Sequence, residues 1–134
     1  MDIQLCTNQP HKTLRLGNVE RYADGSGYRA VLEVRSRGFE VTAPFYFEPE
    51  PLSRFLDDLV TMDRSLTGSA TLKPLFEDPF IELTLTRRGS VVVRGEMFEH
   101  SEHSQHLKFE FETDQTVLKP LIDALRACQV MPVS

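Results

Sequence analysis

One pattern occurs twice in this chain and limits what it can fold into. Phe45-Tyr46-Phe47-Glu48 alternates apolar and polar residues and runs straight into Leu52, Phe55, Leu56 and Leu59. Phe109-Glu110-Phe111-Glu112 does the same before Leu118, Leu121, Ile122 and Leu125. Period-two alternation marks a strand with one wet face, and i, i+3, i+4 spacing marks a helix with one apolar stripe. Before each strand-to-helix junction lies a pair of alternating segments joined by a charged turn, with Gly38 in one and Gly89 in the other. The chain thus reads as two sheet-then-helix units, about residues 13–64 and 70–129, and suggests a tandem duplication. The expected class is α+β: a single domain over residues 1–134, mostly antiparallel sheet, with two helices on one face.

The segments can be placed one by one. Ile3 and Leu5 suit a short edge segment. Thr13 to Arg21 alternates until Gly17-Asn18. The turn Asp24-Gly25-Ser26-Gly27 leads to Tyr28, Ala30, Leu32 and Val34 on one face, with Arg29, Glu33 and Arg35 on the other. Phe39, Val41, Ala43, Phe45 and Phe47 form the next apolar row, and the aromatic rows as a whole are expected in the core. Pro44 interrupts this row and implies an edge strand or a bulge, because proline cannot donate to a ladder. Glu48-Pro49-Glu50-Pro51 suits a helix start, where an N–H would be orphaned anyway and acids favour the dipole. In the second half, Ile81, Leu83 and Leu85, then Val91, Val93, Gly95 and Met97, then Leu107, Phe109 and Phe111 are apolar rows. Thr113 or Asp114 caps the last helix, whose start is displaced or kinked at Pro120.

Composition narrows the function. Hydrophobic residues are 40%, charged residues 26% and the net charge is −5. Nucleic acid would need clustered Lys and Arg, and an anionic membrane surface would need basic residues, so neither is an expected partner. Met1-Asp2-Ile3-Gln4 has no signal-peptide character, so the cytoplasm is the expected location. Cys6 and Cys128 then read as free thiols.

No nucleophile elbow, phosphate loop or dinucleotide fingerprint occurs, and no enzyme activity or cofactor is expected. His100, His103 and His106 form an H-x-x-H-x-x-H run beside Glu99 and Glu102. Imidazoles and carboxylates are metal ligands, but the first reading is a polar hairpin tip, with a metal site as a minor alternative. Glu48 and Glu112 at the two strand-to-helix junctions are read as partners of the helix dipoles. The stretch Pro74-Leu75-Phe76-Glu77-Asp78-Pro79 puts apolar residues among acids and chain breakers. It is either a plug over the sheet end or a binding loop for a basic partner.

The run Phe80-Ile81-Glu82-Leu83-Thr84-Leu85, then Gly89, Val91-Val92-Val93-Arg94-Gly95-Glu96, Leu107 to Glu112, Leu118 and Leu121, resembles the WapI-like immunity proteins of bacteria. Tyr28 to Phe47 and Leu52 to Leu59 match more loosely, and the likeness covers roughly residues 13 to 126. The resemblance implies a non-enzymatic protein that binds and neutralises a toxin made by the same cell, and it brings no catalytic residues. A basic toxin domain would suit the negative charge. Phe76, Glu77, Asp78, Glu99 and Glu102 are the expected contact residues on this reading. The alternative is a self-associating structural or regulatory domain, a homodimer joined through strand edges.

The strand register is directly testable. Phe109 belongs to the apolar row, so Phe109→Ala should cost about 3–5 kcal/mol in chemical denaturation. A negligible loss would mean that this strand shows its other face to the core.

Overall fold

A computed structural model describes residues 1–5, 7, 11–74, 80–99 and 103–132, and for Glu99 its backbone only. The chain forms β1 (Ile3–Leu5), β2 (Lys12–Arg21), β3 (Tyr28–Ser36), β4 (Phe39–Phe47) and α1 (Pro49–Ser65). Then come β5 (Ser69–Leu72), β6 (Phe80–Leu85), β7 (Ser90–Glu99), β8 (Gln105–Asp114), a 3-10 turn over Gln115–Val117, and α2 (Leu118–Gln129). The fold is α+β, as expected. The strands are divided between two antiparallel four-stranded sheets, ordered β1-β2-β3-β4 and β5-β6-β7-β8, where the simplest reading of the sequence gathers them in one. The division falls at α1, which separates β4 from β5 in the chain, so no hairpin joins them.

Alternation decides the faces. Tyr28, Ala30, Leu32 and Val34 of β3 are buried, and so are Ile81, Leu83 and Leu85 of β6 and Val91, Val93 and Met97 of β7. α1 buries Leu52, Phe55, Leu56, Leu59 and Met62; α2 buries Leu118, Leu121, Ile122, Leu125 and Cys128. All of these belong to one hydrophobic cluster. A void of about 20 Å³, lined by Leu5 and Leu16 of the first sheet, Ile81 and Leu83 of the second, Phe55 of α1 and Leu121 of α2, lies where the layers meet. Helix packing crosses between the halves, with α1 against β5 and α2 against β1.

Turn chemistry sets the registers. Arg37 and Gly38 both have positive φ, 46° and 88°, which suits the two-residue hairpin turn whose twist matches the strands. Ser36 and Phe39 therefore form a hydrogen-bonded pair, and the alternation puts Pro44 opposite Val31 at a non-hydrogen-bonded position,. Its missing N–H would have pointed away from β3, and no ladder bond is lost. Pro44 thus sits on an edge strand, one of its two expected settings. In β2 the register shifts between Gly17 and Glu20, with Asn18 at φ 52°. The bulge is tied down by Asp2, whose Oδ1 accepts the Asn18 N–H at 2.9 Å. That bond, with the Arg15 guanidinium second, holds the Asp2 carboxyl below the usual carboxylate range.

The last helix begins in steps. Asp114 accepts the Thr116 N–H at 2.9 Å and opens the 3-10 turn. Pro120 then falls within the first turn of α2, where its missing N–H breaks no helical bond.

One expectation fails. Phe39, placed in the core by its alternation, is 77% exposed. It follows the hairpin turn directly, where the apolar face of the β3–β4 ribbon extends past the strands that would cover it.

Gly95 faces inward beneath Phe109. A Cβ there would stand 2.5 Å from the ring's Cζ and 2.6 Å from the Phe80 carbonyl oxygen. Gly95→Ala should therefore destabilise by about 1–3 kcal/mol, as overpacking does. Thermal melts should show the loss partly relieved by Phe109→Leu, which removes the ring but leaves the Phe80 carbonyl in place.

Candidate functional site

In an antiparallel meander, alternate connections emerge at the same end. The β5–β6 connection, which carries Phe76, Glu77 and Asp78, and the β7–β8 connection, which carries Glu102, leave the second sheet at one end. Those four residues, with His100, lie outside the described residues. The backbone of Glu99 closes β7 opposite Gln105. Topology therefore puts the strand ends Leu72, Phe80, Glu99 and Gln105, which flank those residues, at a common end of the second sheet.

The described residues nearest that end form a distinct surface. On the outer face of β7 and β8 the Phe98 and His106 rings stack at 4.1 Å with 8° between planes. His106 Nε2 lies 3.1 Å from Glu96 Oε2, and Lys108 Nζ lies 4.0 Å from Glu96 Oε1. Glu96 is thus shared by two basic side chains. Farther along, Arg94 donates to Glu82 at 2.6 Å.

The β3–β4 hairpin comes close to β8 and leaves a groove of about 340 Å³. Val34, Val41 and Phe109 supply apolar lining. Phe39 and Leu107 stand exposed beside it, and Arg37, Glu40, Lys108 and Glu110 are its charged residues. Arg35 reaches Glu40 at 3.1 Å. No ion-pair partner for Arg37 or Glu110 occurs among the described residues. The groove is apolar at its centre and carries both signs of charge at its margin, which suits a protein segment better than a small anion or cation. The loop residues picked out from the sequence lie outside the described residues, as does the side chain of Glu99. The signal that could have found the groove is Phe39 itself, an apolar residue directly after a hairpin turn.

The other sequence candidates are easily placed. Of the histidine run, His103 lies in a bend and His106 in β8. No group of three or more His, Cys, Asp or Glu side chains arranged to hold a metal occurs among the described residues. Glu112 accepts a hydrogen bond from the Ser90 hydroxyl. No described helix is long and apolar enough to cross a membrane. Cys6 lies outside the described residues.

Over residues 8–129 the chain matches the model of the Immunity protein WapI-like family. That span takes in β2 through α2, and the chain belongs to this family. Comparison with curated proteins returned no match.

Cys128 is fully buried. Burial pushes its thiol up to about 11, with Arg21 opposing the shift. A thiol so raised is protonated at neutral pH and a poor nucleophile. Since the folded value lies above the unfolded one, the folded state keeps its proton longer. The stability linked to it is intact below the unfolded thiol range and is lost as pH rises toward 11,. Tyr28, also raised by burial, adds a loss of the same sign. The melting temperature should fall between about pH 9 and 11, and Cys128→Ala should flatten the earlier part of that fall.

Proposed function

We propose that this protein is an immunity protein that binds and neutralises a cognate toxin domain without catalysing a reaction. The observation that carries the reading is the family match over residues 8–129, which takes in β2 through α2. The net charge of −5 favours a basic toxin, since complementary fields speed capture while buried anchors supply most of the affinity. The contact surface on this reading is the loop end of the second sheet: Phe76, Glu77 and Asp78 from one connection, Glu99 and Glu102 from the other. Phe76 is the apolar anchor and the carboxylates steer. The interaction takes place in the cytoplasm, before the toxin reaches its target.

Affinity capture from the native cell lysate, with the bound proteins identified by mass spectrometry, tests the reading. One stoichiometric, basic, toxin-like partner is the expected result. With that partner in hand, the pair Glu77→Lys and Asp78→Lys should weaken binding by about tenfold or more, at 1.4 kcal/mol per decade, with the thermal melt unchanged. Unchanged affinity would move the contact surface elsewhere. Recovery of only the protein itself would count against the toxin reading.

A further inference from the structure

Two open sheets have four edges, and three of these are blunted. β1 is three residues long. β5 is four residues long and is followed at Pro74 by a residue with no N–H. β4 carries Pro44 at a position that faces outward. Short strands and outward prolines are how sheet proteins avoid unwanted pairing. β8 has neither device. It runs ten residues without proline, in unbroken register with β7, and among the described residues no strand pairs with its other side.

Which of its backbone groups point outward follows from the ladder. The Leu85 N–H donates to the Gly68 carbonyl at 2.9 Å, so the backbone of Leu85 points toward β5. Leu85 pairs with Val91, which therefore directs its own groups toward β8. Alternation then makes Val91, Val93, Gly95 and Met97 the hydrogen-bonding partners of Thr113, Phe111, Phe109 and Leu107,. The backbone groups of His106, Lys108, Glu110 and Glu112 face away from β7.

The side chains at those four positions read base, base, acid, acid. That order is self-complementary. When two copies of β8 run antiparallel about an axis at Phe109, Lys108 faces Glu110 of the other copy, and His106 faces Glu112. All four positions then fall in hydrogen-bonded pairs. Moving the axis one position to Lys108 sets two lysines against each other, and moving it to Glu110 sets two glutamates, so both neighbouring registers are disfavoured. The apolar groove with exposed Phe39 and Leu107 runs beside this same edge and would be covered.

We propose that the protein forms a twofold dimer in which β8 of each copy pairs antiparallel about Phe109, joining the second sheets of both copies and closing their grooves. The pairing is isologous, as a twofold interface must be. It is independent of the toxin reading, and either can fail alone.

Sedimentation velocity and light scattering on the full chain over a wide dilution series test the dimer. The expected species has twice the 15.3 kDa chain mass and dissociates on dilution. Lys108→Glu alone and Glu110→Lys alone should each weaken it by about tenfold. Lys108→Glu with Glu110→Lys should restore it, since the swap keeps the pattern self-complementary. Glu110→Pro should abolish it by removing an outward N–H, with circular dichroism checking that the fold persists. A monomer at every concentration would overturn the proposal. So would a dimer that tolerates both single charge reversals and the proline.

Discussion

A four-stranded antiparallel meander is wet on one face and apolar on the other, and this chain contains two. Neither could bury its apolar face alone. The rest of the structure depends on that shared need. Leu32 and Phe45 of one sheet, Leu72 and Val93 of the other, and Leu52, Leu59, Leu118 and Leu125 of the helices are buried in the same cluster. The outer faces hold charge in rows. Arg15 spans Asp2 and Glu33 at 2.9 and 2.7 Å, and Arg29 pairs with Glu20. Such exposed pairs contribute little stability each. They keep the wet faces polar and match the strand registers beneath them.

The same division leaves sheet edges on the surface. Closing two sheets into one barrel would leave no edges; stacking them leaves edges that must be shortened, interrupted or used. β1 and β5 are short, β4 carries Pro44, and β8 is long and uninterrupted. The loop end and the open β8 edge are neighbouring features, and both lie on the second sheet.

Much of this architecture was legible because period and burial agree. The β3 row from Tyr28 to Val34, the inward face of α2 and the irregularity at Gly17-Asn18 could all be read from residue order. The proline of β4 was informative too, since a missing donor restricts where a strand can lie. What could not be read depends on long-range placement. Phe39 continues a perfect alternation, yet alternation says which face a side chain is on and not whether anything covers that face. Two sheets and one sheet give identical strand patterns, because the pattern records a wet side and a dry side without naming the neighbours. The groove needs the β3–β4 hairpin and β8 to meet, and these are far apart in sequence. The loop residues chosen for charge, Phe76 to Asp78 and Glu102, lie outside the described residues.

The crossed packing of the helices has a consequence for how the molecule is made. α1 follows the first meander but packs on β5, and α2 closes the second meander but packs on β1. The first strand of the fold therefore waits for its last element. During synthesis the first half can form hairpins but cannot complete its layer, because Leu121 and Leu125, which meet Ile3 and Leu5 with Phe55, arrive last. Contacts of such wide sequence separation slow folding, since the loop must be closed before the contact gives anything back. The fold is thus assembled as a whole and late. A nascent first half would leave the ribosome with its apolar face open, the condition in which chaperones act.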